Sequence, residues 1–407
     1  MMKKFAAVFL VLMSVLSLSL TAFADETTTA ATTTTTPAEE KDYSHLEGTT
    51  LYVYNWGEYI SDGSEGSLNV LAAFKEKYGI TVQYSMYDSN EDLYAKLAAG
   101  GTNYDVIIPS DYMIARLVAE NMLEKIDFDN IPNYQYIADE HKSTYFDPKN
   151  EYSVPYTVGM VGIIYNTKVV DGTPDSWSLM WDEKYSGQIL NFNNPRDAFS
   201  TAQFLLGQDA NSEAPADWEA AFEKLKEQKP LIQNYVMDEV FNKMEKGEAA
   251  IAPYYAGDFL SMADNNPDLA FFYPKEGTNI FMDSMCIPKG AANKEAAELF
   301  INFMLEPEIA VANADYICYA SPNTAVLESD DYELKGNEYL YPAEGDKPET
   351  QYFHALPKTT LDLMNSYWNE LGIAGSSNTA LYIALAGVAV VVIAAFVFAA
   401  VRKKKRA

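Results

Sequence analysis

The stretch Leu51-Tyr52-Val53-Tyr54-Asn55-Trp56-Gly57-Glu58-Tyr59-Ile60 decides how the rest of the chain is read. Leu51, Val53 and Asn55 alternate with Tyr52, Tyr54 and Trp56, the period of two expected of a strand rich in β-forming residues. Gly57 ends it, and the turn-rich run Ser61-Asp62-Gly63-Ser64 leads toward a helix. Trp56 and Tyr59 are thereby placed just past the carboxyl end of the first strand, where open α/β sheets bind ligands. Two rings at a strand end also serve to cap a core, so the neighbouring segments decide between the readings.

Those segments repeat a strand–helix rhythm. Leu68, Leu71, Phe74 and Tyr78 mark a helix closed by Gly79, and Ile80–Tyr84 follows as a strand. Ser89-Asn90-Glu91-Asp92 resembles a capping box, and Gly100-Gly101 ends its helix. Asp105–Pro109 is a short, continuously apolar strand of the buried parallel kind, delivering Ser110, Asp111 and Tyr112 to the edge that carries Trp56. A second set of elements begins near Tyr152. It includes strands at 162–166, 187–192, 249–254 and 269–273, a short helix over 177–185, and helices near 218–226 and 236–246. Asn193-Asn194-Pro195-Arg196-Asp197 opens a further helix, with Pro195 suited to its first turn. Phe281–Pro288 reads as a strand, Lys294–Leu305 as an amphipathic helix, Tyr319–Asn323 as a turn and Pro357–Leu371 as a last helix. The alternation predicts an α/β fold.

The ends carry different signals. Met1–Lys4 is basic, Phe5–Leu20 is apolar and Ala22-Phe23-Ala24 is a cleavage site, so residues 1–24 read as a secretory signal peptide. Residues 25–45 are a Thr-rich linker with no apolar period. After a linker at 373–379, residues 380–401 form an apolar run of transmembrane length, and the basic tail at 402–407 puts that end in the cytoplasm. Everything before residue 380 is then expected outside, anchored to the cytoplasmic membrane.

Formal net charge is −29, and the body is more negative still once the basic ends are set aside. Such a field repels nucleic acid and favours cationic partners. Cys286 and Cys318 are compatible with a bridge or with two free thiols. The three histidines are scattered without metal-ligand spacing, so no metal or other cofactor is expected. No nucleophile stands beside a base and no Gly-rich loop cradles phosphate, which argues against an enzyme.

What recurs at the loop tips is a ring or amide beside a carboxylate: Trp56/Glu58/Tyr59, Ser110/Asp111/Tyr112, Asn194/Asp197, Tyr255/Asp258 and Phe281/Asp283. An apolar chain with ammonium ends needs this set. Ring faces cover methylenes and bind cations at about 2 kcal/mol when dry, and carboxylates supply charge-assisted hydrogen bonds.

Here LYVYNWGEYI (51–60), DVIIPSDY (105–112), YSVPYTV (152–158) and MDSMCIP (282–288) resemble the spermidine/putrescine-binding proteins of bacterial polyamine importers. The resemblance runs from about Leu51 to Leu371. It implies the type II periplasmic-binding-protein fold, two α/β lobes joined by a hinge. On that pattern one lobe comprises 46–155 and 279–325, and the other 156–278 and 326–372. It also implies a monomer that gives a polyamine to an ABC permease and its ATPase. Site residues carried over are Trp56, Tyr59, Ser110, Tyr112, Asp197, Asp283, Tyr319 and Gln351, with Asn194, Tyr255 and Phe281 at matching positions. Gly57 replaces a hydroxyl residue, Asn194 replaces an acid, and Tyr255 and Phe281 stand where tryptophans are common. These departures leave the polyamine class in place and the choice between putrescine and spermidine open. A receptor of the same fold for another organic cation or solute, serving transport or sensing, is the alternative.

Overall fold

The structure, a computed structural model, describes residues 41–372 except Thr102 and the side chain of Glu65. The signal peptide, most of the Thr-rich linker, the linker at 373–379, the transmembrane run at 380–401 and the basic tail lie outside the described residues. Among the described residues no helix is long and apolar enough to cross a membrane.

The opening strand–helix rhythm is present: β1 (Thr50–Trp56), α1 (Val70–Tyr78), β2 (Thr81–Tyr87), α2 (Asn90–Ala98), β3 (Val106–Ile107) and α3 (Asp111–Ala119). Gly79 closes α1 at φ 68°. Ser89 caps α2, its Oγ accepting from the Asp92 amide at 3.1 Å. Next come β4 (Ser153–Asn166), β5 (Ile189–Phe192), α4 (Pro195–Leu205), α5 (Pro215–Gln228), β6 (Ile232–Val236), α6 (Glu239–Glu245), β7 (Ile251–Tyr255), α7 (Ala256–Asn265) and β8 (Leu269–Phe272). The described chain closes with β9 (Thr278–Cys286), α8 (Lys294–Met304), α9 (Pro307–Ile317), α10 (Thr324–Glu328), β10 (Thr350–Tyr352) and α11 (Lys358–Glu370).

The strands line up as β2-β1-β3-β9-β4-β7-β5-β6, with β10 beside β9 and β8 beside β4. β1 pairs in parallel with β2 and β3, and β5 in parallel with β6 and β7. The long strands β4 and β9 run antiparallel between these two groups, and their register shifts between Pro155 and Thr157. A separate apolar core forms on each side. One gathers Leu51, Val53, Phe74, Val106, Met285, Phe300 and Phe303. The other gathers Ile163, Trp177, Leu190, Phe199, Trp218, Ile251, Met364 and Trp368. Burying apolar side chains contributes about 25 cal/mol per Å², so each strand group is held by an apolar interior of its own. Among the described residues, β4 and β9 link the two groups.

Several sequence expectations change in detail. Tyr43 already packs edge-on against Tyr78, with centroids 6.1 Å apart, so the body starts inside the expected linker. The helix expected over 177–185 is two 3₁₀ turns, Trp177–Trp181 and Glu183–Tyr185. Val236 ends strand β6 instead of opening a helix. Cys286 and Cys318 are both free thiols.

Candidate functional site

A cavity with about 760 Å³ of empty space, its mouth included, lies where the two strand groups meet. All the sequence-derived site residues except Gln351 line it: Trp56, Tyr59, Ser110, Tyr112, Asn194, Asp197, Tyr255, Phe281, Asp283 and Tyr319. Gln351 faces elsewhere. Its Oε1 accepts from the Ala210 amide at 3.0 Å, because β10 turns that side chain toward the end of α4. The late polar contact expected there is a structural tie.

Strand ends and helix starts place the rest. Trp56 is the last residue of β1; its Nε1 donates to the Ile108 carbonyl at 2.9 Å and its ring lies 4.5 Å from Tyr87. Ser110 precedes α3 and is clamped by Asn90, whose Nδ2 donates to Ser110 Oγ at 3.0 Å. Asn194 caps α4, accepting from the Asp197 amide at 2.9 Å and donating to Asp197 Oδ2 at 2.8 Å. Asp197 thus sits in the first turn of α4, where the helix dipole favours negative charge. Tyr255 ends β7, and Asp258 falls in the first turn of α7. Phe281 and Asp283 alternate along β9 with the buried Met282 and Ser284, which do not line the cavity.

Each deep carboxylate receives one tyrosine hydroxyl. Tyr59 donates to Asp283 Oδ2 at 2.8 Å, Tyr255 to Asp197 Oδ2 at 3.0 Å, Tyr319 to Asp258 Oδ2 at 3.0 Å and Tyr112 to Glu91 Oε1 at 3.1 Å. Tyr59 is also hydrogen-bonded to Thr157 and stands edge-on to Tyr319, centroids 4.9 Å apart. The Asp283 Oδ1 atom is buried with no partner among the described residues.

Besides its tyrosines, the lining carries the acidic residues Glu58, Asp88, Glu91, Asp197, Asp238, Asp258 and Asp283 and no Lys, Arg or His. Burial is the first cause that holds several of them above the usual carboxylate range. Asp258 is pushed up to about 8, with Asp238 and Glu58 adding repulsion. Asp283 rises to about 6, burial and Asp197 outweighing the hydrogen bonds it accepts. Asp238 rises to about 6 through burial and the nearby Asp88, Glu58 and Glu239. Burial also raises Asp197 and Glu91. The buried Arg196 guanidinium draws Asp197 and Glu91 partly back down, and the cavity lining itself contains no cationic side chain.

Sequence reading left Glu91, Asp238, Asp258 and Asn279 off the site. Glu91 was visible only as part of a capping motif, and Asp258 only as the neighbour of Tyr255. Asp238 enters because Gly57 has no side chain: a Cβ there would lie 2.2 Å from Asp238 Oδ2. Asp111 does not line the cavity. It is fully buried and accepts from the Met282 amide at 3.2 Å, which ties α3 to β9.

A profile of the bacterial extracellular solute-binding protein family matches residues 69–338. The chain is 35% identical over 298 residues to the spermidine/putrescine-binding periplasmic protein of Salmonella typhimurium, covering 73% of this chain and 84% of that one. It is 29% identical over 344 residues to the putrescine-binding periplasmic protein SpuD of Pseudomonas aeruginosa, covering 80% and 92%. Among solved structures, the spermidine/putrescine ABC transporter substrate-binding protein PotD of Streptococcus pneumoniae superposes with a TM-score of 0.66. That match has 33% identity and covers 80% of this chain and 99% of the other.

Proposed function

Because this chain belongs to the bacterial extracellular solute-binding protein family, with a mixed α/β periplasmic-binding-protein fold, we propose that it captures polyamines outside the cytoplasm. Putrescine, spermidine or both are the cargo, and the permease and ATPase of an ABC importer receive it. The observation that carries this reading is a ring-walled cavity whose lining holds acidic side chains and no Lys, Arg or His. The named activities of the relatives support the same cargo.

The lobes are residues 46–155 with 279–325, and 156–278 with 326–372, hinged where β4 and β9 cross. Trp56, Tyr59, Ser110, Tyr112 and Asp283 contact the ligand from one side. Asn194, Asp197, Tyr255 and Phe281 complete the site, with Tyr319 closing over the rings. Ammonium groups bring positive charge to a lining that has no cationic side chain of its own, and closure is stabilised by a ligand that bridges both lobes. One chain is the binding unit. Residues 1–24 direct export, and residues 380–401 anchor the body to the membrane.

The test is a melting-temperature screen against putrescine, spermidine, spermine, cadaverine, choline and amino acids. A ligand that binds only the folded state raises stability as its concentration grows. A concentration-dependent rise with polyamines and none with amino acids is expected. A rise with choline or an amino acid and none with any polyamine would transfer the fold to another cargo.

A further inference from the structure

Asn279 lies on β9 and lines the same cavity. It is 2% exposed, and its Oδ1 has no hydrogen-bond partner among the described residues. A buried acceptor left unmade costs free energy, so native structures seldom retain one without a use. Asp283 Oδ1 shares that condition. The two residues stand four apart on one strand and so on one face, about 13 Å apart along it by the ordinary strand rise. Phe281 lies between them and also lines the cavity.

In the parallel pairing of β10 with β9, Gln351 stands opposite Asn279. Gln351 is committed to the Ala210 amide. Its strand partner is the residue at this register that reaches the cavity with an unfilled acceptor.

We infer that Asn279 is a ligand contact: its amide oxygen accepts an N–H from an amine of the bound polycation other than the one held by Asp283. The apolar chain between those two amines crosses Phe281. The inference rests on the polyamine reading above. It assigns the ligand a second donor along β9 and makes a single amine an incomplete occupant.

Calorimetric titration of Asn279→Leu, Asn279→Asp and the wild type with putrescine and spermidine tests it, together with the ligand-free melting temperature of each. Leucine keeps the branched outline of the side chain with somewhat more bulk and removes the unfilled acceptor. Asn279→Leu is therefore expected to bind about ten- to a hundredfold more weakly while melting at the same temperature or higher. Asn279→Asp retains an oxygen and is expected to keep affinity within several-fold. Unchanged affinity in Asn279→Leu overturns the contact and leaves the polyamine reading standing. A loss of affinity accompanied by a lower ligand-free melting temperature also overturns it, since that is the signature of a packing role. No heat from the wild type with either amine overturns the cargo itself, and the contact with it.

Discussion

Asp283 concentrates the chemistry of the site in one side chain. It is 3% exposed, one oxygen is held by Tyr59, and the other is buried with no hydrogen-bond partner among the described residues. An ammonium placed there completes an ion pair in a low-dielectric setting, and removing one member of such a pair costs about 3–5 kcal/mol. Asp283→Asn is expected to weaken polyamine binding at least ~100-fold by calorimetry. The ligand-free protein should be no less stable, because the variant removes an unpaired buried charge. Its titration sets a pH dependence as well. Asp258 at about 8 and Asp283 at about 6 lie above the ordinary carboxylate value of 3.8. Groups raised in the folded state contribute stability that is present below about pH 4 and lost as pH rises through 6 to 8. The ligand-free melting temperature should therefore fall across that window. Polyamine affinity should rise over it, with protons released on binding at pH 7. Titrations in buffers of different ionisation enthalpy measure that release, and an affinity flat from pH 5 to 8 would contradict it.

Strand β9 shows what elements add to residues. It pairs with β4, and Gly159, opposite Phe281 on β4, leaves room for the Phe281 ring: a Cβ there would lie 2.3 Å from Phe281 Cζ. Gly159→Val is expected to push that ring into the cavity, weaken polyamine binding more than tenfold and cost about 1–3 kcal/mol of stability through overpacking. Chemical denaturation and titration of one preparation check both. At this scale the sequence was partly legible. β1, β2, β3 and the helices between them announce themselves by periodicity, caps and glycines. α7 does not, because it starts directly at the end of β7 with no turn residue between. β6 was hidden because its pattern runs straight into α6. The ring–carboxylate theme was visible, yet its real pairs were not. Tyr255 serves Asp197 rather than its neighbour Asp258, and Tyr59 serves Asp283 across 224 positions. Local pattern carries no information about such partners. Gln351 failed for the same reason, since only the β10–β9 register shows which way it turns.

At the scale of the whole molecule, two cores are joined through β4 and β9, and the proposed function has this body open to admit a solute and close around it. Net charge of −29 raises the encounter rate with cations, in a salt-dependent way. Removing residues 380–407 is expected to move the protein from the membrane fraction to the soluble exported fraction without changing its affinity. Persistence of that variant in membranes would remove the anchoring role. The most direct measurement is calorimetric titration of the purified protein with putrescine and spermidine at pH 8. One-to-one binding at micromolar affinity or tighter, weakened by salt, is the predicted result. No binding of either amine to folded, ligand-free protein would contradict the account at its centre.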